Sequence, residues 1–133
     1  MEFNKISFRV RYAETDQMGV VYHGNYAQYL EMARVEWLRG FGISYKKMEE
    51  SGIMLPVISL SIDYKKSAFY DDLITVKTTL KKPPSVKIEF DYEMRNESGE
   101  ILAVANTILA FVNRESKRPV KCPDYLLKKI TAS

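Results

Sequence analysis

A carboxylate, an imidazole and a phenol fall within one short stretch of this chain: Asp16, His23 and Tyr12, inside RVRYAETDQMGVVYHGNY, residues 9–26. Gly19 and Gly24 relax the backbone there, and Asn25 is a good N-cap for a helix that follows. The stretch therefore delivers Asp16 and His23 near the start of a helix. Helix N-termini present unpaired N–H groups and the positive end of a dipole, which is where a developing oxyanion is best held. A carboxylate beside such a site can serve as a general base toward water or as a nucleophile. The plain alternatives are local. Asp16 can be a turn residue whose side chain caps nearby amides, and His23 can serve through its backbone amide or a loop hydrogen bond without its ring taking part. No serine is placed as the nucleophile of a Ser-His-Asp triad. The glycine spacing from Gly19 to Gly24 is that of a phosphate-binding loop, but Asn25 and Tyr26 stand where Lys and Ser or Thr are needed.

Composition limits the chemistry further. The chain has 133 residues, 46% apolar and 28% charged, which suits one globular domain over residues 1–133. The net charge of +3 is scattered, so no nucleic acid is called for, and an anionic small ligand would suit it equally well. One cysteine (Cys122) and one histidine exclude an intrachain disulfide and a closed zinc site, and no metal is expected. The most apolar stretch, Ile101 to Val112, is too short for a bilayer and holds Asn106 and Thr107. The first residues do not read as a signal peptide, so the expected location is cytoplasmic, with no membrane partner. Chemistry must run on carboxylates, hydroxyls, one imidazole and backbone amides.

The elements that position these groups follow from periodicity. Ile6, Phe8, Val10 and Tyr12 alternate with polar residues as a half-buried strand. Ile58, Leu60, Ile62 and Tyr64 do the same, as do Ile74 to Leu80 and Val86 to Met94. Ile101 to Val112 is apolar at both parities and reads as a strand covered on both faces. Asn96 to Gly99 is a hairpin turn. A helix runs from about Asn25 to Arg39, with Tyr26, Tyr29, Leu30, Ala33 and Trp37 on one stripe; Met32, Val35 and Leu38 fall outside it, as if the helix were enclosed on more than one side. A short helix over 44–51 is capped by Ser44, and Pro123 opens a C-terminal helix. The expected class is α+β: about five antiparallel strands around one long helix. The sheet's outer face and edges call for self-association.

The string R-x-R-Y-x-E-T-D-x-x-G-V-V-Y-H-x-N-Y, followed by L-E-x-A-R-x-E-W-L-R, closely resembles the hotdog-fold acyl-CoA thioesterases of the 4-hydroxybenzoyl-CoA thioesterase family, most of all the YbgC-type branch. The resemblance covers nearly the whole chain. It implies a hotdog fold and hydrolysis of an acyl-CoA thioester, or an acyl-carrier-protein thioester, to a free acid. No cofactor is implied beyond the coenzyme A of the substrate. The family's catalytic aspartate matches Asp16, as general base or nucleophile. The amide that polarises the thioester carbonyl matches His23, and the ring of His23 and Tyr12 match supporting residues. Gly24, Asn25 and Tyr26 shape the turn and are the expected substrate contacts there. A homodimer or homotetramer is implied, with a partner chain completing the pocket.

Coenzyme A carries phosphates, so basic groups are expected at the pocket mouth. Lys81, Lys82 and Lys87, around the turn between the third and fourth strands, are the candidates. Solvated lysines on an exposed turn are the plain reading of the same residues. Glu31 and Glu36 on the helix are further carboxylates, Glu31 being placed to pair with Arg34. Two other functions fit the same resemblance: a non-catalytic acyl-CoA sensor, and a hotdog hydratase or dehydratase. Asp16 argues against the first, and Gly24-Asn25-Tyr26 after His23 argues against the second.

Overall fold

Stretches of period-two sequence become one antiparallel sheet in the computed structural model, which describes residues 3–132. In chain order the elements are β1 (Phe3–Arg9), α1 (Tyr26–Gly40), α2 (Tyr45–Glu50), β2 (Ile53–Met54), β3 (Val57–Tyr64), β4 (Leu73–Leu80), β5 (Lys87–Arg95), β6 (Ile101–Ala110), β7 (Val112–Asn113) and α3 (Asp124–Ala132). Single 3-10 turns at Tyr12–Glu14 and His23–Asn25 lie between β1 and α1. The sheet order is β1-β4-β5-β6-β3, and β2 pairs with β7 in a small ribbon that periodicity did not mark.

Side-chain parity explains the layering. Ile74, Val76, Thr78 and Leu80 of β4 and Ile88, Phe90, Tyr92 and Met94 of β5 are buried on one face. α1 lies on that face and buries Tyr26, Tyr29, Leu30, Ala33, Trp37 and Leu38 against it. Trp37 meets Phe90 edge-on at 5.0 Å between ring centres and Phe41 at 4.8 Å. Truncating such a buried aromatic costs about 3–5 kcal/mol. The turn at Asn96 closes with Gly99 at φ +80°, a conformation that favours glycine, and Gly99 N–H donates to Asn96 O at 3.0 Å. Ser44 Oγ accepts from Lys47 N–H at 3.3 Å and caps α2. Leu126 and Leu127 N–H both donate to Pro123 O, which opens α3.

Four expectations need correction. β1 ends at Arg9, and Tyr12 lies in a 3-10 turn, 77% exposed. β3 is an edge strand, so the residues expected on a half-buried face, Ile58, Leu60 and Tyr64, are 52%, 45% and 49% exposed. β6 is covered on one face only: Ala103, Ala105, Thr107 and Leu109 are buried, while Val104, Asn106 and Ile108 are half-exposed. Met32 is exposed and Val35 half-buried, so α1 is closed on the sheet side and open on the other. For β3 and α1 the reason is the same: an apolar pattern reports a face that prefers burial, and here Ile58, Leu60, Tyr64 and Met32 are left exposed.

Candidate active site

The chain leaves β1 and crosses to α1 through a loop held by its own backbone. Asp16 N–H donates to Val20 O at 2.8 Å, and Gly19 N–H returns to Asp16 O at 3.0 Å. Gly19 sits at φ +80°, which a side chain would strain. Asp16 Oδ1 accepts from the Met18 amide at 2.8 Å and the Val20 amide at 3.4 Å. The carboxylate thus does hold its own turn, as the local reading expects. Both bonds fall on Oδ1, so Oδ2 is not consumed by the turn.

The loop then docks on the segment after β3. Val21 N–H donates to Ala68 O at 2.8 Å, and Val20 bridges to Phe69. His23 opens the 3-10 turn that runs into α1, so the first N–H groups of this helical stretch lack intrahelical partners. Asn25 is not the expected side-chain cap. Its backbone is already helical, and its Nδ2 donates to Glu14 O at 2.9 Å. Gly24 makes room for a ring: a Cβ there would lie 2.6 Å from Tyr22 Cε2.

Asp16, Val20, Val21, His23, Tyr26, Tyr64, Lys65, Lys66 and Ser67 line one cleft of about 300 Å³. Its aromatic wall is tightly built, with Tyr26 and Tyr64 edge to face at 4.9 Å. Burial holds the Tyr26 phenol above its ordinary value. The structure therefore brings together Asp16, His23 and Tyr26. Tyr12, Gly24 and Asn25 are not among the lining residues; Tyr12 packs instead on Tyr70 at 5.6 Å. Lys81, Lys82 and Lys87 lie at the opposite end of the sheet. Arg9, where the loop begins, is opposite Leu73 at the start of β4, while Lys81 follows the end of β4 and pairs with Glu89 at 3.5 Å. Lys65 and Lys66, which sequence reasoning passed over, line the cleft, Lys66 paired with Glu100 and Lys65 4.0 Å from Asp63.

Other candidates are committed elsewhere. Glu36 pairs with Arg39, and Arg34 reaches Tyr92 Oη at 3.4 Å. Cys122 is buried, and burial, aided by Asp124, pushes its thiol up to about 11, so it is no thiolate nucleophile at neutral pH. Glu14 was missed altogether. Its carboxylate accepts from the Arg11 amide at 2.8 Å and from Tyr29 Oη at 3.0 Å. Burial alone would raise it; those donors together with the Arg11 guanidinium outweigh burial and hold it below the ordinary carboxylate range. No described helix is long and apolar enough to cross a membrane.

Comparison with known proteins points the same way. The pattern of the thioesterase-like superfamily matches residues 10–130. YneP of Bacillus subtilis is 36% identical over 121 residues, covering 91% of this chain and 88% of that one. The acyl-CoA thioesterase YbgC of Haemophilus influenzae is 36% identical over 124 residues, covering 90% of each. Among solved structures, a DHNA-CoA thioesterase from Staphylococcus aureus superimposes with a TM-score of 0.92 at 38% identity, over 99% of this chain and 93% of that one.

Proposed function

The chain belongs to the thioesterase-like superfamily and has the hotdog fold, and from that premise we propose that it hydrolyses an acyl-CoA thioester to a free acid and coenzyme A. One observation carries the reading: Asp16 and His23, on opposite sides of the loop, line a single cleft at the start of α1. With the thioester carbonyl at the helix start, the His23 amide draws on the oxygen as charge develops there. Asp16 takes a proton from water as the water oxygen bonds to the acyl carbon. The carbon–sulfur bond then breaks, and the proton passes to the departing thiolate. The ring of His23 is not required for this, since its main chain supplies the donor.

Lys65 and Lys66 take the role first expected of Lys81, Lys82 and Lys87, attracting the anionic substrate to the cleft. A second copy of the chain completes the site. β3 offers an unpaired edge with Val57, Ile58, Leu60 and Tyr64 exposed, and the cleft wall at Tyr64 to Ser67 begins where that edge ends. Pairing two copies along β3 would cover both.

The test is Asp16→Asn, assayed by thiol release from a panel of acyl-CoAs. The expected loss in turnover is about a hundred- to ten-thousand-fold, with the same unfolding temperature and assembly state. Parental turnover in that variant would overturn the reading.

A further inference from the structure

Glu14 is 9% exposed, although it lies in a loop whose neighbours Ala13 and Asp16 face solvent. A charge is buried at a cost unless its lone pairs are used, and here they are. Oε1 accepts from the Arg11 amide at 2.8 Å and from the Tyr29 hydroxyl at 3.0 Å, while Oε2 accepts from the Arg11 guanidinium at 3.1 and 3.2 Å. The main-chain oxygen of Glu14 is used as well: the Tyr22 amide and Asn25 Nδ2 each donate to it at 2.9 Å. Tyr29 is 1% exposed, on the face of α1 that packs on the sheet, and Phe8 of β1 lies against it at 4.6 Å.

One residue therefore ties three pieces of chain together: its own turn with Arg11, the turn at His23, and α1. Its side chain holds the 3-10 turn that feeds Asp16, and ties that turn to the buried face of α1 through Tyr29. Its main-chain oxygen fixes the residues on either side of His23. The two halves of the site, acid and amide, meet through Glu14, although Glu14 itself is not among the residues lining the cleft.

We infer that Glu14 is the positioning residue of this site, setting the separation of the Asp16 carboxylate from the His23 amide through its simultaneous hold on Arg11, Tyr29, Tyr22 and Asn25. The inference rests on the thioesterase reading of the same cleft. Because Glu14 does not touch the substrate, its loss leaves binding unchanged and slows the chemical step. A misplacement of reacting groups by about 1 Å costs up to about a hundred-fold in rate.

The experiment compares Glu14→Gln, Tyr29→Phe, the double variant and Asp16→Asn with the parent. Thiol release is followed on a panel from acetyl-CoA to benzoyl-CoA, the fastest member being kept, with unfolding temperatures measured alongside. Glu14→Gln is expected to lower kcat about ten- to a hundred-fold with KM within about two-fold of the parent. Tyr29→Phe, which removes one oxygen and leaves the core filled, is expected to lower kcat in the same sense, and to cost less in the Glu14→Gln background than alone. If Glu14→Gln does not fold, Tyr29→Phe tests the same link. A slow Asp16→Asn beside a Glu14→Gln or Tyr29→Phe variant with parental kcat overturns the positioning role alone, as does a raised KM at unchanged kcat. A parent inert to the whole panel, or a fast Asp16→Asn, overturns the thioesterase reading and this role with it.

Discussion

Tyr64 donates its hydroxyl to the main-chain oxygen of His23 at 3.1 Å, joining the last residue of β3 to the turn that begins α1. The same ring packs on Tyr26. Tyr64→Phe keeps the packing and removes the bond. The expected stability loss is about 1 kcal/mol or less, since the bond is exposed, with kcat reduced because the His23 turn loses a tether. Chemical denaturation and steady-state kinetics on the same preparation check both halves.

The open edge makes a prediction about assembly. Leu60→Asp or Ile58→Asp places a charge on β3 without touching Asp16 or His23. Light scattering should show a smaller species than the parent, and turnover should fall with it. Full assembly and full turnover in both variants would remove β3 from the interface.

The two lysine clusters are separable. Lys65→Ala should raise KM for acyl-CoA and flatten its dependence on salt, as expected when a cation that attracts an anion is removed. Lys81→Ala, at the far end of the sheet, should have the smaller effect. The ratio of the two KM changes at low ionic strength is the measurement.

Acid stability should carry the mark of Glu14. Its carboxyl is held below the ordinary value of 4.5 in the folded chain. Stabilisation of this kind is complete above the unfolded value and drains away as pH falls through the folded one. Unfolding temperature plotted against pH should therefore fall less steeply on the acid side in Glu14→Gln than in the parent. Equal slopes would show that Glu14 does not titrate in that window.

Much of the frame was readable from residue order. The alternation of Ile88, Phe90, Tyr92 and Met94 with charges marks β5, and the helical period of the stripe from Tyr26 to Trp37 marks α1. Asp16 and His23 stand out by their types, by Gly19 and Gly24 beside them and by the resemblance of the string around them. Three things were hidden, each for a physical reason. β3 alternates like β4, and nothing in its sequence says that a single copy leaves Ile58 and Leu60 uncovered. Lys65-Lys66 and Lys81-Lys82 look alike as basic pairs after strands; only topology places one at the loop end of the sheet and the other away from it. Glu14 sits in a polar loop with no period, and its partner Tyr29 lies on the next element, so burial of that carboxylate appears only after the chain has folded back.

Tyr64 to Ser67 serve two surfaces at once, continuing the free margin of the sheet and forming one bank of the cleft. Under the proposed function, adhesion between copies and the hold on the substrate would then rest on the same few side chains. A substitution that alters one would be expected to alter the other.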